Sequence, residues 1–273
     1  TNVRGAENML HLAKLLDVPE FHYVSTAYVC GDAKYFSEGD LGETQNHRNV
    51  YEQSKAQAEK LVRGSSMAFS IYRIPVVVGD SQTGEINSFN GYYGFFAPFW
   101  QLAQTLRKKN AEELEDYGIS MEGDGDFHVP LTLPCTTVGP INLVPIDWLT
   151  NMFLGLLKVP ADQRTFHLTH PHPRSVKETV EVSTAHLGLR GITCGIPPQE
   201  KISKPISRIQ RSAITNIKPF EPYTSKDGER FDNAATVQTL GQNWRDPPDI
   251  DPVVIGRRLF FAKEKNFGRN SGG

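Results

Sequence analysis

Apolar residues at Val3, Met9, Leu10, Leu12, Leu15 and Leu16 recur at helical spacing, so the chain opens with an amphipathic helix. A short turn with Pro19 leads into "FHYVST", whose β-rich composition predicts a buried strand. A polar loop from about Gly31 to Asn49 follows. "YEQSKAQAEKLV" (Tyr51–Val62) is then a second helix that turns Ala58, Leu61 and Val62 toward a core and stops at Gly64. "FSIYRIPVVVG" (Phe69–Gly79) is a strand that Pro75 interrupts, so it should end near Arg73 or Ile74. The order helix, strand, helix, strand predicts a parallel sheet covered on both faces.

Beyond Asp80 the pattern loosens. "SQTGEINSFNGYYG" is turn-rich, Phe95–Lys108 reads as a helix, and "EGDGDF" (Glu122–Phe127) as a tight turn. "INLVPIDWLTNMFLGLL" combines a short strand, Pro145 and a helix with Asp147 near its start, where the helix dipole favours a carboxylate. "TFHLTH" (Thr165–His170) is a strand candidate and "SVKETVEVSTAHLGL" a helix. After Gly191 the signal is weak, and no internal repeat is visible.

Composition narrows the function classes. The 273 residues carry a net charge of −2, too little field to recruit nucleic acid or an anionic membrane. Cys30, Cys135 and Cys194 are far apart and odd in number, which fits neither a disulfide framework nor a metal site and suits a reducing, cytoplasmic setting. No run of about 18 apolar residues is present, so no membrane span is expected. No leader pattern is read either.

Candidate chemistry centres on the second helix. Tyr51 and Lys55 stand at i and i+4, which places both side chains on one face. An ammonium beside a phenol favours the phenolate, which is expected to lower the Tyr51 pKa and poise it for proton transfer. Ser25 and Thr26 end the first strand, where ligands bind in open α/β sheets, and a hydroxyl there could support a developing oxyanion.

Four stretches together carry a resemblance: "NVRGAENML" (Asn2–Leu10), "VSTAYVCGD" (Val24–Asp32), "YEQSKAQAEKLV" and "YRIPVVVGD" (Tyr72–Asp80). In this order and spacing the chain resembles the extended short-chain dehydrogenase/reductase superfamily. The resemblance implies a Rossmann-like, doubly wound α/β fold with a smaller mixed C-terminal substrate-binding region. It implies Thr26 as the catalytic hydroxyl, Tyr51 as general acid and Lys55 as the residue that binds the nicotinamide ribose. Asn2 would lie near that ribose, and Ile74, Pro75 and Val76 would contact the nicotinamide ring. Ser25 is then a structural neighbour. On this basis residues 1–90 form the second half of a NAD(P)-binding domain. Residues 91–273 form a substrate region interleaved with a late strand and helix of that domain, at about 143–187.

Within the superfamily, "LVPIDWLTNMFLGLL" and "FHLTHPHP" (Phe166–Pro173) resemble the thioester reductase and fatty acyl-CoA reductase branch, the male-sterility type. That branch implies NADPH as cofactor, with NAD as the second choice. It implies an acyl thioester substrate on CoA or an acyl carrier protein, reduced to aldehyde or alcohol. Homodimerisation through the tyrosine helix is a further implication. The alternatives are a sugar-nucleotide or steroid-type enzyme of the same superfamily and, from another class, a non-catalytic dinucleotide sensor or scaffold.

Other features read more plainly. "GYYGFFAPFW" (Gly91–Trp100), with six aromatics in ten residues, is a core or interface helix in preference to an acyl-channel wall. Arg107, Lys108 and Lys109 suit a solvated helix end better than a phosphopantetheine contact. "HPHP" and "EGDGD" lack the pattern of a metal site. No glycine-rich phosphate turn follows a strand. The expectation is therefore that the first βαβαβ half lies upstream of this chain, and that the chain alone is poorly stable and inactive.

Overall fold

The computed structural model describes residues 1–197, 204–225 and 227–269. In chain order the elements are α1 (Asn2–Leu15), β1 (Glu20–Thr26), β2 (Tyr35–Phe36), α2 (Val50–Arg63), β3 (Ala68–Ile74), β4 (Val76–Val78) and α3 (Tyr92–Leu106). Then come α4 (Ala111–Asp116), β5 (Ser120–Met121), β6 (Phe127–Leu133), β7 (Leu143–Pro145), α5 (Ile146–Leu156), β8 (Arg164–His167), α6 (Val176–His186) and β9 (Leu189–Cys194). The last stretch holds α7 (Lys204–Ile217), α8 (Glu221–Thr224), β10 (Arg230–Phe231), α9 (Ala234–Leu240) and α10 (Pro252–Glu264). The fold is α/β and Rossmann-like. It divides into two compact units, one of residues 1–77, 142–173 and 229–248, the other of residues 78–141, 174–228 and 249–273.

The first unit is built on a parallel sheet in the order β1-β3-β8, with Thr26 opposite Ile74, Ser25 opposite Arg73, and Arg73 opposite His167. Strand side chains alternate between faces, and β3 is apolar on both. Phe69 and Ile71 pack with Leu10 of α1 and Val62 of α2. Tyr72 faces the other way, into a core of Val144, Trp148, Met152, Leu156, Phe166 and Leu240. Helices therefore cover both faces, as the apolar run of β3 required. The strand ends at Ile74 and the chain resumes as β4 after Pro75, which has no N–H to continue a ladder.

The second unit carries a smaller mixed sheet, β5-β6-β9, antiparallel between β5 and β6 and parallel between β6 and β9. Phe127, Val129, Leu131 and Leu133 of β6 point inward in strict alternation. In α3 the rings of Tyr92, Tyr93, Phe95, Phe96 and Phe99 are buried and pack edge-on or tilted against one another, at centroid distances from 4.8 to 6.3 Å. The aromatic segment is core of this unit, with Tyr92 Oη 2.8 Å from Ser183 Oγ. The "EGDGDF" stretch is a turn whose Gly125 adopts a positive φ of 84°. Among the described residues the four helices beyond Gly191, α7 to α10, have no counterpart in the sequence reading. Helix α10 starts at Pro252 behind the N-cap Asp251, whose side chain accepts from Val254 N at 2.8 Å. All three cysteines are free and buried. Among the described residues no helix is long and apolar enough to cross a membrane.

Candidate active site

Thr26 is the last residue of β1, buried beside the C-terminal end of β3. Its Oγ1 caps the following 3-10 turn by accepting from Tyr28 N at 3.3 Å, and it donates to the Ile74 carbonyl at 3.3 Å. The neighbouring Ser25 Oγ is buried without a hydrogen-bond partner. Strand alternation puts Ser25 on the face of Tyr23 and Arg73, beneath α2, whereas Thr26, at the very end of the strand, turns its hydroxyl to Ile74, Tyr28 and Tyr51.

Helix α2 begins at Val50, one residue before Tyr51. Asn49 is its N-cap, accepting from Glu52 N at 3.0 Å, while Glu52 reaches back to accept from Arg48 N at 3.0 Å. The cap satisfies one donor that a helix start would otherwise leave orphaned, and the Glu52 bond ties the residue before the cap to the first turn. The buried Glu52 also pairs with Arg48 at 2.9 Å, and Arg48 pairs in turn with Glu229. The first turn of α2 is thereby held at three points, and Tyr51 sits within it.

Tyr51 is half-exposed, and its hydroxyl shares a hydrogen bond with that of Thr26. Burial, with the Glu52 carboxylate in support, pushes the phenol above its ordinary pKa, and the Thr26 bond opposes this. The expected lowering by Lys55 is not what the geometry provides. Lys55 Nζ instead donates to the Val24 carbonyl at 2.9 Å and lies 5.0 Å above the Tyr23 ring. Burial holds the Lys55 ammonium below its usual pKa, with Glu59 pulling the other way. Tyr23, under the ammonium, is pushed up to about 12 by burial, Glu59 and Tyr51.

The remaining candidates fall around the same helix and strand ends. Asn2 Nδ2 donates to Ser54 Oγ at 2.9 Å, and Ser54 donates to the Tyr51 carbonyl at 2.9 Å, so Asn2 braces the Tyr51 turn from behind. Ile74 offers its carbonyl to Thr26, Pro75 breaks the ladder, and Val76 N donates to the Asn142 carbonyl at 3.2 Å. Asn142 escaped the sequence reading. Its side chain is locked to one backbone residue, accepting from His170 N at 2.9 Å and donating to His170 O at 2.8 Å. His170 Nδ1 accepts from His172 N at 3.0 Å. The "HPHP" loop is thus a tied turn beside Val76, and its position at a strand end was the only available signal. No cluster of three or more metal-ligating side chains occurs among the described residues.

These groups suit the nicotinamide-ribose portion of a dinucleotide. A half-exposed phenol and an ammonium stand one helical turn apart at the C-terminal ends of parallel strands, with hydrogen-bonding capacity for a ribose hydroxyl and a carbonyl oxygen.

Among curated proteins this chain finds no match. Among solved structures it is similar to the terminal R domain from the myxalamid PKS-NRPS biosynthetic pathway, at 22% identity and a TM-score of 0.69, covering 97% of this chain and 63% of that one. It is similar to a thiolation-reductase di-domain from an archaeal non-ribosomal peptide synthetase, at 16% identity and 0.65, over 98% of this chain and 54% of that one. A third is the reductase domain of the aureusimine biosynthetic cluster, at 15% identity and 0.65, over 96% and 65%. The chain therefore spans less than two thirds of each of these relatives, and at such identities the likeness is one of fold. The family model described as "Male sterility protein", an NAD-binding family, matches residues 1–153, more than half of the sequence. The chain belongs to that family.

Proposed function

We propose that this chain is the catalytic and substrate-side part of a NAD(P)H-dependent reductase that converts acyl thioesters, on CoA or a carrier protein, to aldehyde or alcohol. The carrying observation is the hydrogen bond between Tyr51 and Thr26 at the C-terminal end of the parallel sheet, with Lys55 one turn further along α2. The reductase domains that share this fold, one of them joined to a thiolation domain, support the thioester class.

The bound dinucleotide supplies hydride. The two hydroxyls of Thr26 and Tyr51 hold the thioester carbonyl oxygen, and their hydrogen bonds strengthen as that oxygen becomes an oxyanion. A phenol held above its ordinary pKa is protonated near neutral pH, which is the form a general acid needs for reduction. Tyr51 Oη passes its proton to the oxyanion, and the hemithioacetal expels the thiol. Lys55 binds the ribose, braced by the Val24 carbonyl, with Asn2 behind it. Ile74, Pro75 and Val76 form the wall against the nicotinamide. In this reading residues 1–90 are the cofactor half, and residues 91–273 supply the substrate region around the late strand and helix. NADPH is the favoured cofactor.

The test is NADPH consumption by the full-length protein with a panel of acyl-CoA and carrier-bound thioesters, beside Tyr51→Phe. Turnover should fall by about 10²–10⁴ in the variant with folding unchanged. Turnover with nucleotide sugars and none with thioesters would overturn the reading.

A further inference from the structure

Helix α2 presents a third polar residue in line with Tyr51 and Lys55, namely Glu59 at i+8. Its carboxylate is 0% exposed and receives both Nε (3.1 Å) and Nη2 (2.8 Å) of Arg73, which is also 0% exposed. Arg73 is the β3 residue directly before Ile74, whose carbonyl accepts from Thr26. The rest of the guanidinium is engaged too. Nη2 donates to the Asp40 carbonyl at 2.8 Å, Nη1 to the Ser37 carbonyl at 3.4 Å and to His167 Nε2 at 3.3 Å, and the plane lies 4.6 Å above Phe36.

Stability is a weak reason for such a pair. Desolvating both charges offsets most of their attraction, and an apolar pair of similar volume is often as stable or more so. A planar fork on a carboxylate does something apolar contacts do not, because it fixes separation and orientation together. We infer that Glu59–Arg73 is a positioning pair that sets the rotation of α2 against β3, holding Tyr51 on Thr26 and Lys55 on the cofactor side. The inference rests on Tyr51 being the acid. A misplacement of about 1 Å at the reacting groups costs about 10²-fold in rate, which is the scale of effect expected here.

The experiment uses the full-length protein with Glu59→Met and Arg73→Met combined. At a temperature where circular dichroism shows the double variant fully folded, kcat for thioester reduction should drop about 10²-fold. Unchanged kcat and KM at that temperature would overturn the inference and leave only packing. A second variant, Glu59→Gln, is read by NMR of labelled Tyr51 and Lys55, which needs no turnover. The Lys55 ammonium faces Tyr23 and the Val24 carbonyl on β1, and Glu59 on its own helix. Loss of the Glu59 charge lowers the pH at which Lys55 titrates through charge alone, so the deciding signal is a shift of the Tyr51 ring resonances, two helical turns away. If the Tyr51 resonances stay as in the wild type, the inference fails. If they move while no thioester is reduced, the positioning pair stands and the reaction class falls.

Discussion

The two ends of α2 are built on opposite terms. At its start Tyr51 is half-exposed and meets one side-chain hydroxyl, and Lys55 is parked on a backbone carbonyl. Eight residues on, Glu59 is fully enclosed, and the layer around it is satisfied almost atom by atom. Arg73 bonds Glu59, two carbonyls and His167, and His167 Nδ1 lies 2.6 Å from the Asp232 carbonyl. Glu38 accepts from His167 N, Ala235 N, Thr236 N and the Thr236 hydroxyl. The groups proposed to meet a ligand keep spare bonding capacity, whereas Glu59 and Arg73 behind them are engaged on every side. A site that changes partners during turnover needs a frame that does not.

That contrast is sharpest when the frame loses one member. Arg73→Met leaves the buried Glu59 carboxylate with only the longer Arg63 contact at 3.5 Å and strips the bidentate partner from it, and the expected loss is about 3 kcal/mol of folding stability. Urea unfolding of Arg73→Met beside Tyr51→Phe measures it, since the latter should unfold like the wild type. Equal midpoints for the two would erase the distinction between frame and site.

Acid probes the same layer more gently. Burial and the Arg73 guanidinium hold His167 down to about 3, against an ordinary 6.5. The neutral ring with its proton on Nδ1 donates to Asp232 and accepts from Arg73, while a second proton would face the guanidinium. Between those two pH values the unfolded chain binds the extra proton and the folded chain does not. This contribution is therefore complete above about pH 6.5 and is lost as pH falls toward 3, at about 1.4 kcal/mol per pH unit. Unfolding free energies measured through that window should show the slope, and His167→Gln should flatten it.

The open end was legible in the sequence and the closed end was not, for a physical reason. Tyr51 and Lys55 are neighbours through helical geometry alone, and Thr26 lies at the end of a strand whose register follows from a local apolar run. Glu38 meets Thr236 across 198 residues and Arg48 meets Glu229 across 181, so no local pattern marks either pair. Asn142 was hidden for the same reason, since its partner is 28 residues away in a loop that reads as proline-rich punctuation. The charge state of Tyr51 was misjudged because i, i+4 spacing gives proximity and not direction. The Lys55 ammonium bonds the Val24 carbonyl, and burial decides the phenol instead. Helix α10 was missed although its Asp251–Pro252 start is a recognised opening, because the turns that follow mix polar and apolar residues too evenly for a clear face.

The smallest change tests whether the open end has any frame of its own. Asn49 caps α2 by accepting from Glu52 N, so Asn49→Ala should cost about 1 kcal/mol in stability. Fraying from a lost cap is confined to the first turn, which holds Tyr51 but neither Lys55 nor Glu59. Turnover should then fall by more than the modest loss of folded protein explains, while binding through Lys55 stays near the wild-type value. Thermal melting together with kcat and the dinucleotide KM separates the two. A drop in kcat that merely tracks the unfolded fraction would mean that Tyr51 is held by its Thr26 bond alone, and that the cap contributes only to the helix.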